Sequence, residues 1–312
     1  MILTLALLAC LAADEHPMGF SYAPANPLAR SRSPLSVITP PRPGEKSISI
    51  ALDADNTVEA LAILPSLRLD AEIWQTRVEL FMPISARSWL YAHFTAGVSG
   101  GGGLDGVVDA WHEFLFAGRV YIVERAVAPN YAFSYRVNLP HTQATWTRGA
   151  YLSDTRIGLA TELLEDLSVA LTLALPTTTR PGYGLETFGV AGWLRYRVKM
   201  FSWFQVELGG GAGLAPQFGP LAFYQRPILA AASLDTSVFF AEHHALFALF
   251  WIHTPYYART HHPSLDFPDI SIRVGWRGRP FGLFEIEAAL TEDLLDGPAS
   301  DVVFNLSARY SL

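Results

Sequence analysis

Apolar side chains recur at every second position through most of this sequence from about residue 45 onward. The final segment shows the pattern most clearly, with one set at Val302, Phe304, Leu306, Ala308, Tyr310 and Leu312 and a second, mostly polar set at Val303, Asn305, Ser307, Arg309 and Ser311. A period of two is the pattern of a β-strand with two different faces. In a membrane barrel one face contacts lipid and the other lines a polar interior.

Twelve such segments can be identified, and the connections between them alternate in length. Those after the second, fourth, sixth, eighth and tenth segments are very short, whereas the others are longer and reach 99–153. This segregation is typical of outer-membrane barrels with both termini in the periplasm. The segments are 46–56, 72–83, 87–98, 154–165, 167–176, 186–198, 201–212, 228–240, 244–254, 268–277, 281–291 and 301–312.

Backbone groups cannot stay unpaired in hydrocarbon, so strands of this kind must close into a ring. We therefore predict an all-β fold for 45–312, a membrane-spanning antiparallel up-and-down β-barrel of about 12 strands in the bacterial outer membrane. Outer-membrane lipids and the barrel assembly machinery are then expected partners, although the last residue is Leu312 rather than the usual phenylalanine. A large soluble β-sandwich is the structural alternative.

Composition supports export and excludes several classes. Half of the residues are hydrophobic and only 16% are charged, against roughly 25% charged in an ordinary soluble domain. After residue 13 the longest uninterrupted apolar run is Ala245 to Ile252, far short of the roughly 18 residues of a transmembrane helix. The formal net charge of −7 argues against a nucleic-acid partner.

The amino-terminal region divides into two parts. Residues 1–13 resemble a secretory signal segment without a basic start, and Cys10 lies in a short sequence that resembles a lipidation site, so cleavage, retention and lipidation stay open. Residues 14–44 contain seven prolines, which disfavour helices and central strands. This Pro-rich segment is either a periplasmic tail or a segment that enters the barrel lumen.

The predicted inward-facing positions of the strands carry charged side chains of both signs. These side chains either pair across a narrow hydrated lumen or line a pore for a small polar solute. The count of about 12 strands decides neither, since barrels of roughly 8 strands are filled and those of 16–18 are open. The lumen-lining candidates are Arg77, Glu79, Arg156, Glu162, Arg195, Arg197, Glu207, Asp235, Arg273, Arg277, Glu285, Glu287 and Arg309.

The long 99–153 connection contains apolar residues at helical spacing from Leu104 to Leu115, which predicts a small helix that constricts or caps the barrel. Its stretch Gly101–Phe114, with the Pro-rich stretch Pro27–Ile38, is similar to domain-of-unknown-function family 3187, a bacterial family of exported, barrel-like proteins. The resemblance implies class and location but no activity. It makes Asp105, Trp111 and His112 the first candidates for a shared site, with a helix packed on the barrel mouth as the alternative.

Other chemistry is weakly indicated. An outer-membrane lipid-modifying enzyme would need a nucleophile near His93, for which Ser88 or Thr95 are candidates, but no nucleophile-elbow motif is present. We therefore expect no enzyme, cofactor or metal; neighbouring histidines such as 243–244 and 261–262, the latter with Asp266 and Asp269, are read as solvated loop residues rather than metal ligands. Aromatic residues predicted near strand ends suit girdles at the membrane interfaces; they are Trp74, Trp89, Trp203, Trp251, Trp276, Tyr256, Tyr257 and Tyr310.

The functional expectation is a narrow channel or binding barrel for a small polar solute. A non-conducting structural or assembly barrel with a filled lumen is the alternative, and the lipid-modifying enzyme is the third possibility.

Overall fold

A single antiparallel sheet closes on itself to form the body of the molecule. The computed structural model describes residues 19–24, 26–61, 66–104, 106–108, 110, 133–281, 284–294 and 302–312. Twelve strands form the ring, and the pairing of the first with the last closes it. They are β1 (Ser47–Leu61), β2 (Ser66–Ser85), β3 (Ser88–Gly100), β7 (Thr155–Leu164), β8 (Leu167–Leu175), β9 (Gly189–Phe201), β10 (Phe204–Leu214), β11 (Ile228–Ala241), β12 (His244–His253), β13 (Asp269–Phe281), β14 (Phe284–Asp293) and β15 (Val302–Ser311).

Alternation along each strand sorts the side chains between two environments. On β8 the outward side chain of Leu171 is exposed while the neighbouring Ala170 and Thr172 are buried. The same division on the other strands gives the barrel an apolar outer surface and a largely polar inner one. This confirms the predicted barrel and its twelve strands. Among the described residues, no helix is long and apolar enough to cross a membrane.

Connection lengths distinguish the two ends of the barrel. Residues 86–87, 165–166, 202–203 and 242–243 join strands at one end, called the turn end, where β1 begins and β15 finishes. The opposite end, called the loop end, carries the long connections. Two of the short connections were predicted a few residues too early along the chain. The observed strands are longer, because β9 continues to pair as far as Phe201 and β13 as far as Phe281.

The loop end holds three strands that the sequence analysis left within the 99–153 connection. They are β4 (Ser134–Leu139), β5 (Thr142–Thr145) and β6 (Gly149–Leu152). β4 pairs with the start of β2, which begins at Ser66 rather than at residue 72 because β1 and β2 continue their ladder beyond the predicted bounds. Of the predicted loop helix, residues 106–108 and 110 are helical, and 105, 109 and 111–132 lie outside the described residues.

The Pro-rich segment lies inside the barrel. Residues 19–24 and 26–44, called the lumen segment, form a bent strap held at its middle by a bridge between Tyr22 and Val37. At its tip is the helical turn α1 (Pro27–Arg30), where Asn26 accepts a hydrogen bond from the Leu28 amide and Pro27 takes the first helical position. A second short α-helix, α2 (Pro263–Asp266), lies between β12 and β13, and a 3-10 helix, Ala222–Tyr224, lies between β10 and β11.

Candidate functional site

The inner wall of the barrel carries charged side chains that are paired with one another. The Arg77 guanidinium contacts the Asp53 carboxylate at 2.7 Å, and Arg156 contacts Asp154 at 2.8 Å. Further pairs along the lumen are Arg195 with Glu207 at 3.4 Å, Arg197 with Glu207 at 3.7 Å, Arg277 with Asp235 at 2.9 Å, Arg273 and Arg277 with Glu287, and Arg309 with Glu285 at 3.3 Å. Such pairs neutralise the wall locally and fix the shape of the lumen.

All the lumen-lining candidates lie on the inward faces of their strands. Most are buried, whereas Glu162, Arg197, Glu207 and Asp235 are partly accessible. Glu79 is one of the buried candidates, and no ion pair within 4.0 Å is found for it in the described part of the chain; it accepts a hydrogen bond from Ser49 Oγ at 3.3 Å. Asp53 and Asp154, the partners of Arg77 and Arg156, were not predicted from the sequence.

Wall arginines hold the backbone of the lumen segment. The Arg156 guanidinium donates to the carbonyl oxygens of Ser33, Pro34 and Leu35 at 3.0, 3.2 and 3.4 Å. Arg309 donates to the carbonyl of Thr39 at 3.1 Å. These arginines therefore have two roles, since each also pairs with a wall carboxylate.

The Asp154 carboxylate, just before β7, supports this arrangement from the loop end. Its Oδ1 accepts hydrogen bonds from Ser153 Oγ at 3.0 Å and from the Leu185 amide at 3.2 Å. Burial alone would raise the pKa of Asp154, but the Arg156 and Arg30 guanidiniums outweigh burial and hold that pKa below its usual value. The carboxylate is therefore charged at neutral pH and orients Arg156 towards the lumen segment.

The lumen segment contributes arginines of its own, which the sequence analysis did not include. Arg30 donates to Gln75 Oε1 at 2.6 Å and to Thr95 Oγ1 at 2.9 Å. Arg32 donates to the carbonyls of residues 215, 216 and 226, each at 3.1 Å. A proline-rich stretch has no periodicity that could assign these side chains to an interior, so no signal in the sequence marks them.

Apolar contacts complete the seat of the lumen segment. The Tyr22 ring packs edge-on against Trp251 at 5.5 Å between ring centroids, and Trp251 stacks on Trp193 at the same distance. Close approach by the segment also requires a small residue on β10. A Cβ atom at Gly213 would lie 2.9 Å from Pro34 Cγ, so a larger residue there would displace the segment.

The prediction that these aromatic residues form girdles at the membrane interfaces is partly wrong. Trp74 and Trp203 are exposed on the outer surface, and Trp276 and Tyr310 belong to outward faces. The other four aromatic residues are instead buried. Trp251 packs against Tyr22 of the lumen segment, Trp89 donates through Nε1 to the Glu45 carbonyl at 2.9 Å at the turn end, and Tyr256 and Tyr257 lie at the loop end.

The residues considered for other chemistry are dispersed. His93 faces the lumen and is buried, with its Nε2 atom 3.0 Å from Thr95 Oγ1, so it does not face membrane lipid. The Ser88 hydroxyl is hydrogen-bonded to Thr161 instead. Within the described ranges, no group of three or more histidine, cysteine, aspartate or glutamate side chains could hold a metal ion. Asp105, Trp111 and His112 lie outside the described residues, as do residues 1–18.

Apart from the covalent continuation of the chain into β1, the hydrogen bonds between the lumen segment and the wall involve side chains. Among the described residues, no backbone–backbone hydrogen bond joins residues 19–44 to a barrel strand, whereas every strand of the ring pairs with a neighbour on each side. The segment can therefore change position without breaking the closed ladder of the barrel.

Comparison with known proteins identifies the fold. The chain is similar in structure to the COG4313 outer membrane channel from Pseudomonas putida F1, with a TM-score of 0.57 and 13% identity over 90% of this chain and 98% of that one. The NanC porin (TM-score 0.46, 4% identity, 86% of this chain and 100% of that one) and the CymD monoaromatic hydrocarbon channel (0.43, 11%, 86% and 88%) score lower. No family model and no curated protein matches the sequence, so the resemblance to family 3187 stays a prediction. The first likeness, to the Pseudomonas putida channel, confirms the barrel fold.

Proposed function

We propose that this chain is a narrow outer-membrane channel for small polar solutes, occluded in the present structure by its own lumen segment. The observation that carries the proposal is that, apart from the continuation of the chain into β1, residues 19–44 are hydrogen-bonded to the wall through side chains, inside a ring that closes without them. The fold likeness to a protein described as an outer membrane channel supports it. The turn end, where β1 begins and β15 finishes, then faces the periplasm.

The charged inner wall indicates the class of solute. A lumen lined by ion pairs such as Arg195 with Glu207 favours hydrated polar solutes over apolar ones, because charged groups keep water in the passage. The lumen segment blocks passage until it moves.

A cysteine tether tests the role of the lumen segment directly. A Cβ atom built at Gly189 on β9 would lie 3.1 Å from Pro34 Cβ, close to the roughly 3.5–4.5 Å of a disulfide. The variant Pro34→Cys/Gly189→Cys, with Cys10 replaced by serine, is compared in planar bilayers when oxidised and when reduced. We expect conductance in the reduced state and its loss on oxidation, while each single-cysteine variant is insensitive to oxidant.

The filled lumen favours a second function, a non-conducting structural barrel. That function predicts no conductance in either redox state, and it also predicts that the wild-type chain is silent. Equal conductance of the oxidised and reduced tether would instead show that solutes pass without movement of the segment, which contradicts occlusion.

A further inference from the structure

Arg30, at the tip of the lumen segment, is a buried cation without a carboxylate partner. Its guanidinium contacts only the neutral groups of Gln75 and Thr95 among the described residues, and its Nε atom has no hydrogen-bond acceptor. The wall arginines beside it are already paired, Arg77 with Asp53 and Arg156 with Asp154. A buried charge is costly unless it is compensated, and Asp154, which acts on Arg30 electrostatically, is shared with Arg156, its ion-pair partner.

Unused hydrogen-bond donors accumulate around the same guanidinium. The Gln75 amide accepts from Arg30 through Oε1, while its Nε2 atom, which carries two N–H groups, is buried without an acceptor. Arg30 Nε adds a third unused N–H group. Buried donors normally find acceptors in the protein or in a bound species.

The Thr95 and His93 side chains leave one more donor, whichever imidazole tautomer is present. Thr95 Oγ1 accepts from Arg30 and lies 3.0 Å from His93 Nε2. If the threonine hydroxyl donates to Nε2, the His93 proton is on Nδ1, which has no partner. If Nε2 donates instead, the threonine hydrogen is left without an acceptor. A donor is in surplus in both cases.

We propose that Arg30, Gln75, Thr95 and His93 form a binding site for a small monovalent inorganic anion such as chloride or nitrate, and that this site makes the channel anion-selective. The selectivity rests on the proposed channel function, whereas binding of the anion does not. An anion supplies a direct ion-pair partner for Arg30 as well as the missing acceptors, whereas water could supply only the acceptors.

A second arginine extends the same chemistry towards the loop end. Arg32 is buried, its guanidinium contacts only backbone carbonyls, and its Nε atom has no partner. It lines a cavity of about 80 Å³ at the loop end, between Trp146 and Tyr257. Arg30 and Arg32 are two residues apart, and neither has an ion pair among the described residues, so together they would lower the energy of an anion along the path into the lumen.

The wild-type protein provides the first test. Thermal unfolding of the full chain in detergent is followed at fixed sodium concentration while chloride replaces gluconate, a much larger anion. We expect the unfolding midpoint to rise with chloride and to saturate, because a ligand that binds only the folded state stabilises it. A midpoint that does not distinguish chloride from gluconate would overturn the proposal.

Variants locate the site. Arg30→Gln removes the charge and should weaken chloride binding roughly tenfold or more, while Arg30→Lys should retain part of it. Arg148→Gln, which removes an exposed arginine in the β5–β6 connection, is the matched control and should bind chloride as the wild type does. Chloride stabilisation that is unchanged in Arg30→Gln would also overturn the proposal.

Reversal potentials in a KCl gradient separate the two proposals. We expect chloride selectivity in the wild type and a shift towards potassium in Arg30→Gln. Silent bilayers together with chloride stabilisation would overturn the channel and keep the site. Conductance without chloride preference or stabilisation would keep the channel and overturn the site.

Discussion

Replacing Arg156 should release the lumen segment more than any other single change in the wall. Its side chain is 2% exposed, bonds three backbone carbonyls of the segment and pairs with Asp154 at 2.8 Å. Arg156→Met removes the hydrogen bonds and leaves the Asp154 carboxylate buried with two neutral donors. Removal of one partner from a buried ion pair costs about 3–5 kcal/mol.

The double variant Asp154→Asn/Arg156→Met separates the two contributions. It has no uncompensated charge, so only the charge-assisted bonds to the segment are lost, which cost about 1.5–3 kcal/mol. The double variant should therefore be more stable than the single variant, although it carries more changes. A double variant that is more stable than the single variant would show that Arg156 and Asp154 form a buried ion pair.

Opening of the segment can be measured with a cysteine at Ser36, whose side chain is buried in the lumen segment. In the Ser36→Cys, Cys10→Ser background, the rate of maleimide labelling reports how often the segment leaves its seat. Arg156→Met should raise that rate roughly a hundredfold or more, by the conversion of 1.4 kcal/mol to a factor of ten. Urea unfolding followed by tryptophan fluorescence gives the global stability in parallel.

Two results would refute this reasoning. Equal labelling rates in the single and double variants would show that Asp154 is compensated without Arg156, for which Arg30 is the nearby cation. An unchanged labelling rate in Arg156→Met would show that the three carbonyl contacts do not hold the segment.

Two further predictions concern the loop end. Burial lowers the pKa of His262, an effect that Asp266 partly offsets. The folded loop therefore favours the neutral imidazole and loses stability as the pH falls below about 6.5. Hydrogen exchange of residues 260–266, normalised for pH, should increase in the wild type when the pH is lowered from 7.5 to 5.5. It should not increase in His262→Phe. Gly182 has φ +84°, and the position of an added Cβ atom is occupied by the Trp146 indole, whereas Gly219 has φ +76° and open space around that position. Gly182→Ala should therefore lower the thermal unfolding midpoint more than Gly219→Ala does. Equal shifts would mean that backbone strain alone is responsible.

The sequence was sufficient for the ring because one physical pattern recurs in every strand. In β15 an outward Leu306 alternates with an inward Asn305 and Ser307, so both the strand and its faces can be predicted. The bounds were less predictable at the loop end, where the β1–β2 ladder continues to the pair Leu61 and Leu67. β4 to β6 are short strands at the loop end, and the length of a connection does not indicate whether it is folded.

The residues that fill the lumen could not be predicted from the same alternation, because an inward strand face that contacts the lumen segment can be apolar instead of polar. In β12 the inward Phe247, Leu249 and Trp251 are as apolar as the outward Leu246 and Phe250. Trp251 contacts Tyr22 of the lumen segment, so an apolar inner face is the matching surface for that segment. Within the apolar run Ala245–Ile252, the inward Trp251 is thus explained by its contact with Tyr22, whereas the inward Phe247 packs under the Arg277 guanidinium.

The wall and the lumen segment are held by different interactions, so the stability of the ring does not depend on the position of the segment. The ring obtains its cohesion from continuous backbone ladders, which no change in the segment has to break. The segment is held by side chains such as Arg156 and Arg309, and these keep the carboxylates Asp154 and Glu285 as partners when its carbonyls leave. A wall arginine that already has a partner loses only its bonds to the segment on opening, and water that enters the polar lumen replaces them. Paired arginines on the wall therefore lower the cost of opening, whereas an apolar seat alone would expose its surface to water in full.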